Sequence, residues 1–520
     1  MIIENPLNQN RMLSAKQVLD LGIADAMFES ADFLEESLVW AAKVLKGEAT
    51  VDRREVDRSE TTWAAALARG KAVADGRVHG AAPAPYRALE LIELARTASR
   101  DEGFTAEDDA LADLVMTDEL RAGLYSFQLV RKRARKPAGA PDPSLARPVT
   151  KVGIVGAGLM ASQLALLFAR QLQAPVVMTD LDQARLDKGV GYVHGEIDKL
   201  LARKRLSNDR ANRLKALVTG SLTKDAFADA EFVIEAVFEE MSVKQRVFAE
   251  VEAAVSPECV LATNTSSLSV TEMAAKLEHP GRVVGFHFFN PVAVLPLLEV
   301  VRAERTDDAS LATAFAVARK LGKTAVLVKD APAFVVNRLL ARFLGEVTKS
   351  IDEGTPFEVA DSALEPVGLP MSPLVLLQLV GPAIAQHVTQ TLHAAFPERF
   401  YLSENLGGVV AAGKTAFYLP DGGHPKVDPE IAAMFKPGDH PSTAEQVRER
   451  ALAALAEEAR LMLNEGVVAE PQDVDLCMIT GAGWPFHLGG ITPYLDRSGI
   501  AEKVTGKRFL APGLASVPTL

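Results

Sequence analysis

KVGIVGAGLMASQLALLFARQ, residues 151 to 171, decides the fold. A short apolar run leads into the turn GAGLMA (156–161), and apolar residues then recur at helical spacing, which is the signature of a buried strand, a glycine turn and a helix. Backbone amides at such a helix N-terminus can hold a pyrophosphate that no side chain blocks, so Gly156, Gly158, Leu159 and Met160 are candidate cofactor-binding positions. Ala161 stands in the third glycine position and crowds the helix slightly against the sheet. The next apolar run, APVVMTD (174–180), ends on Asp180, 19 residues past the motif, where an acid hydrogen-bonds a ribose hydroxyl. An acid there favours NAD over NADP, because a 2′-phosphate would meet like charge. A glycine pattern alone also occurs in structural turns; strand, helix and acid together point to a dinucleotide.

Outward from this unit, EFVIEAV (231–237), CVLATNTS (259–266) and RVVGFHFF (282–289) are further β-like runs separated by helical text, as in a parallel α/β sheet, and that half ends near TAVLVKDAP (324–332). PAGAPDPSLARP (137–148) before it reads as a linker. Upstream the text is helical. Ser14 is placed to cap a short helix that Gly22 ends, ADFLEESLVWAAKVLKG (31–47) is a second helix, and 52–135 continues as a helical connector interrupted by HGAAPAP (79–85). The run RKRARK (131–136) reads as a solvated helix end. Beyond Pro332 the periodicity is helical, with a weak repeat between VNRLLARFLGEVTKSIDEG (336–354) and RERALAALAEEARLMLNEG (448–466). Each copy is followed by an Asp-bearing stretch, 359–373 and 473–487, and LPDGGHPKVDPE (419–430) separates the two units.

A chain of 520 residues exceeds one core and implies three or four folding units. Fifty-six basic against sixty-eight acidic residues give a net charge of -12, which repels polyanions and argues against a nucleic-acid partner. Two cysteines, Cys259 and Cys477, cannot build a disulfide framework or a cysteine metal site. The opening MIIENPLNQNR lacks a signal layout, and the richest apolar stretch, SPLVLLQLVGPAIA (372–385), is interrupted by Gln378 and shorter than the ~20 residues of a membrane span. A cytoplasmic protein without a membrane span is expected.

Alcohol oxidation needs a base for the hydroxyl proton, and histidine suits neutral pH. His287 leaves a strand at the edge where open α/β sheets bind ligands. Glu299, 12 residues on in the apolar run LPLLEVV (295–301), is an expensive lone carboxylate that needs a partner; pairing with His287 would orient the ring and stabilise its charged form. NTSS (264–267), with Ser266, aims polar groups into the same crevice, and Asn337 follows. The plainer alternatives are a structural histidine, Ser266 as the cap of SLSVTEMAAKL, Asn337 as an ordinary helix residue, and ARKRL (202–206) as a solvated face.

KVGIVGAGLMA, VIEAVFEEMSVK, NTSSLSV, GFHFFNPV, LLEVV, KDAPAFVVNRLL and GLPMSP, in this order and spacing, resemble the L-3-hydroxyacyl-CoA dehydrogenase family. With the helical connector and the two C-terminal repeats, the resemblance extends to the α subunits of fatty-acid β-oxidation multienzyme complexes, fusions of enoyl-CoA hydratase and dehydrogenase. It implies a Rossmann-type NAD-binding domain (148–332) followed by two all-α dehydrogenase units (333–425 and 440–520), preceded by a crotonase-fold remnant (1–50) and the connector and linker (51–147). The implied reaction is NAD-dependent oxidation of an (S)-3-hydroxyacyl-CoA to a 3-oxoacyl-CoA. The resemblance makes His287 the base and Glu299 its partner, and has Ser266 and Asn337 hydrogen-bond the substrate hydroxyl or thioester carbonyl. It places Glu239, Lys244 and Asn290 against NAD alongside Asp180, and Arg203 and Lys204 against CoA. A homodimer and a thiolase partner are also implied.

Two departures stand out: Ala333 and Ser372 occupy positions where the family usually has glycine, which would strain the loop before Asn337 if either φ is positive. RMLSAKQVLDLGIADAMF (11–28) resembles the closing helices of a hydratase domain, without that domain's oxyanion segment and paired glutamates. The expectation is an N-terminally truncated chain that has lost hydratase and isomerase activity. Two alternatives accompany it: a catalytically weak scaffold docking thiolase, or a full α subunit whose glutamate-bearing portion is encoded upstream of Met1.

Overall fold

A computed structural model describes residues 12–51, 53, 55–419 and 426–518. Most of the opening segment and the middle of LPDGGHPKVDPE lie outside the described residues. The chain forms two compact units, 1–116 with 366–368, and 117–365 with 369–520.

The first unit is helical: α1 (Ala15–Asp20), α2 (Phe33–Leu45), α3 (Glu60–Val78), α4 (Ala84–Leu94) and α5 (Arg100–Val115). Ser14 does cap α1, in a reciprocal box with Gln17, and Gly22 follows at φ 72°. HGAAPAP breaks the chain through left-handed His79 and Gly80 (φ 45° and 79°) before Pro83 leads into α4. The Trp63 indole N–H donates to the Ile92 carbonyl (2.9 Å) and ties α3 to α4. Phe33, Leu34, Leu38 and Val39 of α2 remain exposed.

The second unit opens with α6 (Asp118–Arg131) and is built on one eight-stranded sheet: β1 (Val152–Val155), β2 (Val176–Thr179), β3 (Val218–Ser221), β4 (Phe232–Glu235), β5 (Val260–Thr263), β6 (Val283–Phe288), β7 (Leu297–Arg302) and β8 (Thr324–Lys329). The order is β3-β2-β1-β4-β5-β6-β7-β8. The chain runs outward from β1 to β3 and then returns to lay β4 on β1's other side, so the ligand crevice falls outside the strand ends at this switch point. Helices α7 (Leu159–Leu172), α8 (Gln183–Ala202), α9 (Asn208–Leu217), α10 (Met241–Ala254), α11 (Val270–Ala274) and α12 (Asp308–Lys320) connect the strands. β1, β2, β4 and β5 are buried along their whole length, which is why they read as unbroken apolar runs. Phe168, Phe232, Phe286 and Phe288 stack edge to face or tilted through this core. The sheet departs from the all-parallel expectation at one pair, β6 and β7, which run antiparallel.

RKRARK is a solvated helix end at Arg131, Lys132, Arg135 and Lys136, which are exposed, but Arg133 turns inward to form a bidentate pair with Asp473 (both 2.9 Å) and reaches Glu470 at 2.7 Å. The stretch PAGAPDPSLARP is held at its end, where Arg147 donates its backbone N–H to Thr313 (3.0 Å) and its guanidinium to Ser310 (2.9 Å), both on α12.

The remaining helices are α13 (Val336–Asp352), α14 (Phe357–Ser362), α15 (Pro373–Val380), α16 (Pro382–Ala395), α17 (Glu404–Ala411), α18 (Pro429–Met434), α19 (Ala444–Asn464), α20 (Pro471–Gly481), α21 (Ile491–Arg497) and α22 (Ile500–Thr505). SPLVLLQLVGPAIA is divided between α15 and α16 at Gly381, and among the described residues no helix is long and apolar enough to cross a membrane. α13 and α19 carry the two repeat copies and pack on one another. Arg338 of the first copy binds Glu458 (2.6 Å) and Glu465 (2.7 Å) of the second. Arg450, at the equivalent place in the second copy, binds Glu346 (3.2 Å) and Glu353 (2.6 Å) of the first. The Asp-bearing stretches match as well. Asp361 and Asp475 accept the N–H of Leu374 (2.7 Å) and Thr492 (2.8 Å), each the second residue of the helix that follows, and each carboxylate also takes a tyrosine hydroxyl, from Tyr418 and Tyr125.

The chain enters α13 through two consecutive left-handed residues, Ala333 (φ 57°) and Phe334 (φ 53°), so the strain expected at Ala333 is present. Ser372, at φ -72°, has none to relieve.

Two stability outcomes follow from these contacts. Arg338→Ala should cost ~3 kcal/mol, the lower end for breaking a buried ion pair, because Arg399 still holds Glu458; a chemical-denaturation midpoint measures it. Ala333→Gly should be neutral to about 0.5 kcal/mol, strain relief offsetting the lost buried methyl, whereas Ala459→Gly inside α19 should cost about 2 kcal/mol. Equal losses at the two positions would mean that Ala333 carries no strain.

Candidate active site

The antiparallel register of β6 and β7 sets His287 directly opposite Glu299. His287 Nδ1 lies 2.7 Å from Glu299 Oε2, and both side chains are buried. Glu299 Oε1 accepts the N–H groups of Val335 (3.2 Å) and Val336 (3.1 Å) at the start of α13. The buried carboxylate is therefore satisfied by an imidazole on one oxygen and a helix N-terminus on the other. Since a carboxylate only accepts, the shared proton sits on Nδ1 and leaves Nε2 as the basic nitrogen. The Phe289 and Phe334 rings flank the imidazole, with centroids at 4.5 and 5.6 Å, and hold its plane.

NTSS is organised by buried charge. Glu239 Oε1 accepts from the Thr265 hydroxyl (2.6 Å), the Ser266 N–H (2.8 Å) and hydroxyl (3.1 Å), and the Ser267 N–H (3.2 Å). Burial pushes the Glu239 carboxyl up, but the Lys244 charge and the Thr265 and Ser266 hydrogen bonds more than offset it, so the group lies below its ordinary range. Lys244 is buried between Glu235 (2.6 Å) and Glu239 (3.2 Å). Its ammonium therefore points into the protein rather than towards a crevice. Glu235, which the sequence reading passed over, also accepts from the Thr263 hydroxyl (2.7 Å). Its signal was available: an acid closing the apolar run FVIE has the same unpaired cost that singled out Glu299.

Ser266 does not cap the following helix; Ser269 does, accepting the Glu272 N–H. Asn337, in the first turn of α13, donates Nδ2 to the Ser266 carbonyl (3.2 Å), which brings these two candidates together. Asn264 Oδ1 accepts the Phe288 N–H (2.9 Å) and locks the exit of β5 to that of β6.

At the glycine turn, Gly156 has φ 112°, and a Cβ there would lie 2.7 Å from the Ala236 carbonyl oxygen, so only glycine fits. A Cβ on Gly158, the cap of α7, would meet nothing within 4 Å. That open space lies before the first turn of α7, whose Leu159 and Met160 amides have no intrahelical acceptor, and it suits a pyrophosphate. The Ala161 methyl sits 3.7 Å from where a Gly156 Cβ would be, an ordinary contact, so the crowding is slight. Asp180 follows β2, accepts the Ala157 N–H (2.7 Å), and has Arg185 4.0 Å away.

Asn290 begins a cis peptide to Pro291, and its Oδ1 accepts from Gln163 of α7 (3.2 Å). Gln163 Oε1 in turn accepts the Val292 N–H (2.9 Å). Lys323 Nζ donates to the carbonyls of Val292 (2.5 Å) and Leu295 (2.7 Å), and burial lowers its pKa to about 8. The loop carrying Asn290 is thus clipped to the cofactor helix. Arg203 and Lys204 are exposed in the turn between α8 and α9 and join none of these contacts.

Comparison with known proteins agrees with this geometry. Residues 151–331 match the 3-hydroxyacyl-CoA dehydrogenase NAD binding domain and residues 334–416 the C-terminal domain of the same name. The fatty acid oxidation complex subunit alpha of Acinetobacter baylyi is 31% identical over 464 residues, 83% of this chain and 63% of that protein. The chain thus spans under two thirds of the length of the curated relatives it matches. Among solved structures, FadB2 of M. tuberculosis is 33% identical with a TM-score of 0.50, over 52% of this chain and 96% of that one. The 3-hydroxybutyryl-CoA dehydrogenase of Escherichia coli shares the fold at 23% identity and a TM-score of 0.59, over 71% of this chain and 98% of that one. With a histidine–glutamate pair across β6 and β7, a dinucleotide turn and both domain matches in sequence order, the chain belongs to the 3-hydroxyacyl-CoA dehydrogenase family.

Proposed function

We propose that the chain oxidises (S)-3-hydroxyacyl-CoA to 3-oxoacyl-CoA with NAD, as a cytoplasmic enzyme of fatty-acid β-oxidation. The observation that carries this is the 2.7 Å contact between His287 and Glu299 at the crevice edge of a dinucleotide-type sheet. The Leu159 and Met160 amides beyond Gly156 and Gly158 hold the pyrophosphate, and Asp180 takes the adenosine ribose. When bound, the nicotinamide supplies the acceptor for the hydride that leaves C3 of the substrate. His287 Nε2 removes the hydroxyl proton, and the Glu299 carboxylate stabilises the imidazolium that results. Ser266 and Asn337 orient the hydroxyl and the thioester carbonyl. Glu239 and Lys244 serve by shaping the NTSS loop, and Asn290 by fixing the loop after β6. Arg203 and Lys204 meet the CoA phosphates from their exposed turn.

The same reading assigns 148–332 to the cofactor domain, 333–425 and 440–520 to the two helical dehydrogenase units, 51–147 to a connector, and 1–50 to the closing helices of a crotonase-type domain. A homodimer and a thiolase partner extend the reading by resemblance alone.

Absorbance of reduced nicotinamide with 3-hydroxybutyryl-CoA and longer substrates tests the reaction. His287→Gln should lower kcat by roughly 10³-fold or more while NAD affinity by calorimetry holds; a variant as fast as the parent removes His287 as the base. Asp180→Ala should raise the KM for NAD about tenfold and narrow the preference over NADP, because Arg185 is then left facing the ribose without its acid.

A further inference from the structure

Gly345 lies in the interior of α13, where glycine is about fivefold less favourable than alanine for helix formation. Neither backbone nor packing requires it: its conformation is helical, and a Cβ there would meet nothing within 4 Å. What the missing side chain leaves is space. Gly345 lines a cavity of about 60 Å³, several times the room one water needs, walled also by Leu344, Leu377, Val388 and Leu406. Asn337, Ala341, Gly345 and Thr348 line it along one face of α13, a run of ~16 Å at 1.5 Å per residue. The cavity therefore continues from the carboxamide that reaches Ser266 down the body of the helix.

Its walls are suited to hydrocarbon. The Thr348 and Thr389 hydroxyls donate to backbone carbonyls of their own helices and the Tyr401 hydroxyl to Asp352, so these polar groups are satisfied within the protein. Gln386 is the exception among the described lining residues, with Oε1 buried and lacking a partner. Val380 and Ile384 are exposed and form an apolar rim.

We propose that this cavity receives the distal carbons of the substrate's acyl chain and that Gly345 sets how much chain it holds, making the enzyme selective for medium and long 3-hydroxyacyl groups over butyryl. This rests on the dehydrogenase reading above. Each methylene that leaves water for such a site is worth up to about fourfold in affinity.

The test compares kcat/KM for 3-hydroxydecanoyl-CoA and 3-hydroxybutyryl-CoA in the parent, Gly345→Leu and Gly345→Ala, and pairs it with calorimetric binding of decanoyl-CoA and butyryl-CoA, which need no turnover. The parent should prefer the decanoyl compounds in both measurements. Gly345→Leu should cut that preference at least tenfold and Gly345→Ala a few-fold, the smaller variant answering if the larger does not fold. A parent that binds both acyl-CoAs equally, or variants that keep its preference, would overturn the assignment. Absent NADH formation with either substrate would count against the dehydrogenase reading, while the binding measurements would still decide the cavity.

Discussion

The carboxylate of Glu299 is the constraint around which the rest is arranged. An ionised acid with no exposed surface is tolerable only if both oxygens are occupied, and here they are occupied by groups from different parts of the fold. One oxygen fixes the His287 ring on β6. The other receives the first amides of α13, which fixes where the helical half begins. α13 then returns the favour through Asn337, whose carboxamide reaches back to the loop after β5. Imidazole, polar loop and helix start are thereby referred to a single buried atom group, so a shift in any one is felt by the others. The left-handed pair Ala333 and Phe334 is the local distortion that aims those amides correctly.

A second buried acid–base group does the same for the neighbouring loop. Lys244 bridges Glu235 and Glu239, and Glu239 spends one oxygen on Thr265, Ser266 and Ser267. Residues singled out by their position in a motif thus also brace the NTSS loop. Their charge is used inward, where low dielectric makes it strong.

The strands were legible because a sheet covered on both faces leaves uninterrupted apolar text, and the glycine turn because Gly156 has a conformation no other residue tolerates. The His287–Glu299 pair was legible for a different reason: a carboxylate inside LPLLEVV has to be answered by something. The antiparallel turn of β7 was not, since strand direction leaves no trace in a short apolar run. Nor was the inward use of Lys244 or the pairing of Arg133 with Asp473, because a basic side chain in a helix reads the same whether water or a distant acid receives it. Ser269 shows the limit of local signals: it caps the helix three residues past Ser266, and either serine reads as a cap in the sequence.

The two helical repeats grip each other reciprocally, Arg338 on Glu458 and Glu465, Arg450 on Glu346 and Glu353. Were the copies on separate molecules, that embrace would loosen on dilution. Covalent continuity makes it a unimolecular event whose effective local concentration does not change with how much protein the cell contains.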